Sequence, residues 1–211
     1  SIGLIDIPIC VGGGVKTVDH IRQLLLAGAD RVIINSEGLK NIEFLKNVKN
    51  IFGSQFISIS IETKKIDGKY ICMMHHGRDV SNYELIEWIN ELSKLQVGEI
   101  IINSIDHDGT NIGFDKDLIN KINTNIDIPL IYSGGLNDHE NILELLKKRL
   151  FSGISIGTAL HFDNLSIVKN KFKELPNNIE AEQAVIGSIL VSNDIFDEIN
   201  TIISSINFYD P

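Results

Sequence analysis

Val97-Gly98-Glu99-Ile100-Ile101-Ile102-Asn103-Ser104-Ile105-Asp106-His107-Asp108-Gly109-Thr110 is an apolar run of strand length that opens abruptly into Asn, Ser, carboxylates and a glycine. A strand buried on both faces that ends in polar residues is how a parallel α/β barrel delivers chemistry to the C-terminal ends of its strands. The same pattern returns at Ile9-Cys10-Val11-Gly12-Gly13-Gly14, Val32-Ile33-Ile34-Asn35-Ser36, Ile57-Ser58-Ile59-Ser60-Ile61-Glu62, Leu130-Ile131-Tyr132-Ser133-Gly134-Gly135 and Ile154-Ser155-Ile156-Gly157-Thr158. Six strand ends are therefore expected on one polar rim. Between them lie segments of helical period at Val18 to Ala27, Ile42 to Asn50, Tyr83 to Leu95, Lys116 to Asn123 and His139 to Lys148, with a further one at Leu165 to Lys173. Helix-length amphipathic segments alternating with short continuous apolar runs predict repeated βα units and an α/β fold.

Two interruptions stand out. Asp67-Gly68, between Lys64-Lys65-Ile66 and Lys69-Tyr70-Ile71-Cys72, reads as the turn of a β-hairpin on the rim, spanning Glu62 to Met74. Near Lys173 the βα pattern stops. Glu174-Leu175-Pro176-Asn177-Asn178 reads as a linker, and Ile179 to Val191 and Asp194 to Ile203 read as two amphipathic helices with no strand between them. The expected organisation is a barrel portion over 1–173, a linker at 174–178 and a helical appendage over 179–211.

The chain has 211 residues, 43% of them hydrophobic, enough for a sizeable core in one domain plus an appendage. A formal charge of −9 argues against a nucleic-acid surface built on net positive charge, and favours a small-molecule enzyme. Cys10 and Cys72 sit in apolar runs, which suits reduced, buried thiols in a cytoplasmic protein rather than a disulfide framework. No run approaches the length of a membrane span, and the N-terminus has no signal-peptide pattern. The chain starts at Ser1 without Met, so an earlier start is expected. His75-His76, read as adjacent strand residues, point to opposite faces with no Cys or carboxylate completing a ligand spacing. Neither a metal nor a cofactor is expected. Trp88, on an amphipathic segment, is expected in the core.

Val11-Gly12-Gly13-Gly14, Ala27-Gly28-Ala29-Asp30-Arg31-Val32, Phe52-Gly53-Ser54-Gln55, Ser104-Ile105-Asp106-His107-Asp108-Gly109-Thr110 and Ser133-Gly134-Gly135, in this order and spacing, resemble the cyclase subunit of imidazole glycerol phosphate synthase from about Asp6 to Phe172. The resemblance implies a (β/α)8 TIM barrel, a lyase that closes an imidazole ring in histidine biosynthesis with ammonia supplied by a glutaminase partner. Six of eight strands are visible, so a partial barrel is expected. The first two would lie upstream of Ser1, the first carrying one of the family's two catalytic aspartates. The family's substrate is a nucleotide precursor with a phosphate at each end. By resemblance Gly14, Asn35 and Ser36 match one phosphate site, and Asp108, Gly109, Gly135, Gly157 and Thr158 match the other. Taken singly, each glycine also suits a tight strand-to-helix turn. Asp106 suits either a site role or a carboxylate orienting its own loop. Glu62 occupies the place of the second catalytic aspartate, one methylene longer, and reads otherwise as a solvated hairpin carboxylate. Arg31 and Glu99 match a charged ammonia gate at the opposite barrel end, Arg standing for the usual Lys, or form a peripheral salt bridge.

Asn103-Ser104-Ile105-Asp106 is also similar to cyclase-like proteins encoded with surface-polysaccharide genes, which pair with an ammonia source to amidate a sugar. Leu175 to Leu190, with Phe208-Tyr209, resembles the start of the N-terminal domain of the replicative DNA helicase of bacteria, a helical collar that associates with its neighbours and helps engage primase. The chain contains no Gly-x-x-x-x-Gly-Lys-Ser/Thr phosphate loop. The rival to an enzyme is therefore a non-catalytic barrel carried in front of a helicase collar.

Overall fold

A computed structural model of the chain describes residues 8–122 and 126–161. Its centre is a curled sheet in which β1 (Cys10–Gly12), β2 (Arg31–Ile34), β3 (Ile57–Ile66), β6 (Glu99–Ser104), β7 (Leu130–Ser133) and β8 (Gly153–Ser155) lie side by side in that order, all parallel. Among the described residues β1 and β8 each have one neighbouring strand, so the sheet is a partial, open barrel of six strands.

Alternation along each strand separates two faces. One carries Val32, Ile34, Ile57, Ile59, Ile61, Ile100 and Ile102, all at most 1% exposed. These join Ile21 of α1 (Val18–Leu26), Leu45 and Val48 of α3 (Ile42–Phe52) and Leu85, Ile89 and Leu92 of α4 (Leu85–Leu95) in one core. Trp88 belongs to it, 1% exposed, its ring tilted 42° against that of Tyr83 with centroids 4.7 Å apart. The other face carries Arg31, Ile33, Ser60, Glu62, Ile101, Asn103, Ser133 and Ser155, all half-buried. The continuous run Ile100-Ile101-Ile102 thus serves both sides.

Side-chain caps start the helices where expected. Thr17 accepts from the His20 N–H at α1, Asn41 from those of Glu43 and Phe44 at α3, Asp115 from Leu118 at α5 (Lys116–Lys121) and Asp138 from Asn141 at α6 (His139–Lys147). Each supplies an acceptor to a first-turn donor that has no intrahelical partner.

The hairpin is present, but larger than expected. β3 pairs antiparallel with β4 (Lys69–Met74), and Asp67 and Gly68 both adopt positive φ, 50° and 79°, as a type I′ turn requires. A third strand, β5 (Asp79–Glu84), pairs with β4. This corrects two expectations. Tyr83 and Glu84 close β5, so the helix begins at Leu85, and His75-His76 occupy the β4–β5 turn at φ 52° and 60° rather than a strand. The short helix α2 (Ser36–Lys40) was not foreseen, since five residues carry no readable periodicity. The chain ends its described part in α7 (Thr158–His161). The expected helix at Leu165 to Lys173, the linker and the helical appendage lie outside the described residues.

Candidate active site

The β-sheet register sets a polar row across the C-terminal strand ends. Glu62 pairs with Asn103, Asn103 with Ser133, and Ser133 with Ser155, one residue from each of β3, β6, β7 and β8. Just beyond this row Asp108, Gly109, Gly135, Gly157 and Thr158 line one recess together with Ser133. All five residues expected at the second phosphate site are thus brought together from three strand ends. Gly135 has φ +78°, and a Cβ on it would lie 2.2 Å from the Gly113 carbonyl oxygen, whose own amide donates to Gly135 O at 2.9 Å. Only glycine permits that approach. Gly157 is different: a Cβ there would meet nothing within 4 Å. The Asp108 carboxylate accepts from Asn103 Nδ2 at 3.3 Å.

The residues of the first site stand on the other flank of Glu62. Gly14 follows β1 and Asn35-Ser36 follow β2, adjacent strands in register from Cys10↔Arg31 to Gly12↔Ile33. The Asn35 Oδ1 is buried without a hydrogen-bond partner, and Ser36 Oγ accepts from the His75 N–H at 2.9 Å. Glu62 Oε2 accepts from the Gly77 N–H at 3.1 Å. Asp106 ties the hairpin to the loop after β6: its Oδ2 accepts from the Lys65 N–H at 2.7 Å.

At the opposite strand ends Arg31 Nη1 donates to Glu99 Oε2 at 2.7 Å, and Ser58 Oγ donates to Glu99 Oε1 at 2.7 Å. Glu99 is 7% exposed, so this carboxylate is compensated on both oxygens rather than solvated. Cys10, in register with Arg31, is half-buried rather than buried; desolvation first, and then the Glu99 charge, push its thiol up to about 11. Ser58 carries no motif, and only its alternation with Ser60 on the inner face could have marked it.

Sequence reasoning also missed the support of the Asp108-Gly109 loop. Asp115, 5% exposed, accepts from Tyr70 Oη at 2.9 Å, Ser104 Oγ at 3.2 Å and the Leu118 N–H at 3.0 Å, while its own N–H donates to Tyr132 Oη at 2.9 Å. His107 Nδ1 lies 2.8 Å from the Gly113 carbonyl, which can only accept, so the proton sits on Nδ1. Burial, reinforced by Asp115, holds the Tyr70 phenol far above its ordinary range. Among the described residues no group of three His, Cys, Asp or Glu side chains is placed to hold a metal ion. Nor is any described helix long and apolar enough to cross a membrane.

The family model for histidine biosynthesis proteins matches residues 2–166, more than three quarters of the chain. The chain belongs to the histidine biosynthesis protein family. It is 40% identical over 171 residues to the imidazole glycerol phosphate synthase subunit HisF of Natranaerobius thermophilus, covering 81% of this chain and 66% of that protein. The HisF subunit of Chlorobaculum parvum is 34% identical over 169 residues, covering 80% and 67%, and that of Streptococcus sanguinis 36% over 166 residues, covering 78% and 66%. The chain spans about two thirds of the length of these curated relatives. Residues 174–211 match a second model, the DnaB-like helicase N terminal domain.

Proposed function

We propose that this family member is a cyclase of the imidazole glycerol phosphate synthase type, which holds a ligand phosphorylated at both ends along its open strand ends and moves protons with Glu62. The carrying observation is the recess that gathers Asp108, Gly109, Gly135, Gly157 and Thr158. In support, the residues read as the two phosphate sites lie at strand ends on opposite flanks of Glu62, with β2 and β8 four strand steps apart. At 4.7–4.9 Å per step that is roughly 19 Å along the curled sheet and less straight across its concave face, which leaves room for a ligand with a phosphate at each end. Gly77 engages Oε2 of Glu62, leaving Oε1 to exchange a proton with the ligand. The Asp108 carboxylate suits a ligand hydroxyl or N–H better than the phosphate itself, since like charges repel.

The Arg31–Glu99 pair stands at the strand ends facing away from this site, where it would gate ammonia from a glutaminase subunit. Residues 179–211 would form a separate helical module after a linker at 174–178, with helicase or primase contacts. An open barrel leaves its inner face accessible to water, so the chain by itself is expected to be inactive. The test is an ammonia-driven cyclisation assay on the chain alone and on the chain complemented with the N-terminal third of a HisF relative. Product is expected only from the complemented barrel, faster with Glu62→Asp and about 100-fold or more slower with Glu62→Gln. A Glu62→Gln variant as active as its parent would remove Glu62 from the chemistry.

A further inference from the structure

We propose that the turn at 75–78, between β4 and β5, is a clamp that aims Ser36 and Glu62 at the ligand together, and that His75 is its positioning residue; this rests on the reading of Ser36 as a phosphate contact. Two backbone donors of one turn reach two side chains, one at the start of α2 just after β2 and one on the neighbouring β3. The His75 N–H donates to Ser36 Oγ at 2.9 Å, and the Gly77 N–H donates to Glu62 Oε2 at 3.1 Å. A hydroxyl that accepts one hydrogen bond keeps its own proton to give, so the first contact turns Ser36 into an outward donor. A carboxylate held by one oxygen presents the other, so the second fixes which atom of Glu62 faces the ligand.

The turn is itself over-determined. The Arg78 N–H donates to Met74 O at 3.1 Å and closes it. Its residues His75, His76 and Gly77 have φ of 52°, 60° and 75°, and non-glycine residues occupy that region only when neighbours hold them there. The His75 imidazole supplies the hold. Lys40 Nζ stands 2.9 Å from Nε2, and an ammonium can only donate, so Nε2 accepts and the ring proton lies on Nδ1. Nδ1 then donates to Asp79 Oδ2 at 2.5 Å. The ring thus links α2, whose first residue is Ser36, to the start of β5. On the far side the missing Cβ of Gly77 would lie 3.1 Å from Ile105 Cδ1, which seats the turn on the loop after β6.

The clamp is tested by following backbone amide signals of the whole chain by NMR while inorganic phosphate is added, for wild type, His75→Ala and His75→Asn. Asn tolerates positive φ and offers both an acceptor for Lys40 and a donor for Asp79, so it is the conservative rescue. In wild type the Ser36 and Gly157 amides are expected to report binding at the two sites. In His75→Ala the Ser36 response should weaken about tenfold, the worth of roughly one positioned hydrogen bond, with the Gly157 response unchanged. In His75→Asn both should stay near wild type. An unchanged Ser36 response in His75→Ala, or equal weakening at Gly157, overturns the clamp while phosphate binding stands, as does a wild-type response at Gly157 without one at Ser36. No response at either amide in wild type overturns the reading of both phosphate sites and the clamp with it.

Discussion

Asp115 shows how far a residue's importance can sit from any motif. Nothing about Phe114-Asp115-Lys116 in the sequence announces more than a helix cap. In the fold that carboxylate caps the α5 N-terminus locally and also gathers Ser104 from β6 and Tyr70 from the hairpin, 45 residues away in the chain. Removing it in Asp115→Ala leaves buried donors without an acceptor, and should cost about 2–4 kcal/mol in urea unfolding. A loss under about 1 kcal/mol would show that the network is not satisfied as drawn. The glycines were the opposite case: Gly135 and Gly157 were legible because each ends an apolar strand run. The thiols give a pH prediction. Burial raises Cys10 to about 11 and Cys72 to about 12, so both are protonated near neutrality. Alkylation should climb about tenfold per pH unit between pH 8 and 10, with Cys10 ahead of the buried Cys72. Because these folded-state values lie above those of an unfolded thiol, the associated stability is complete below about pH 8.5 and is lost as pH rises through the raised values. Reaction of Cys72 at the rate of a free thiol at pH 8 would contradict its burial.

At the scale of elements, the strands were legible because a strand covered on one side by helices and lined on the other by barrel residues reads as a continuous apolar run. β5 was not, since Asp79-Val80-Ser81-Asn82-Tyr83-Glu84 carries one aliphatic residue and its pattern runs into the helix behind it. Its existence depends on β4 offering an edge, which is a tertiary condition. The turn that starts this meander was visible as Asp67-Gly68. A Cβ on Gly68 would meet no atom within 4 Å, but its φ of +79° disfavours any other residue. Gly68→Ala should therefore lower stability by about 1 kcal/mol through conformation alone, measured by urea unfolding. A loss above about 3 kcal/mol would mean that the turn is packed, not free.

For the whole molecule, the order β1-β2-β3-β6-β7-β8 is what turns scattered strand ends into one candidate site, with Glu62 on a central strand and the residues proposed to hold phosphate on both flanks. Sequence reading anticipated which residues end the strands, but not the Glu62-Asn103-Ser133-Ser155 row, because register between strands is set by packing that no local pattern encodes. The proposed linker at 174–178 predicts that limited proteolysis cuts there first, releasing a fragment that retains the sheet. First cleavage at the Asp67-Gly68 turn instead would argue that the tail packs on the barrel. The recess between β6, β7 and β8 carries the proposed site most directly. Its test is calorimetric titration of a ribonucleotide bearing a phosphate at each end into wild type and Gly157→Asp, a substitution that places a carboxylate in the recess without touching any atom within 4 Å at its Cβ. Binding by wild type, weakened at least about tenfold in the variant at unchanged melting temperature, is the predicted result; equal affinities, or no binding by wild type, would contradict it.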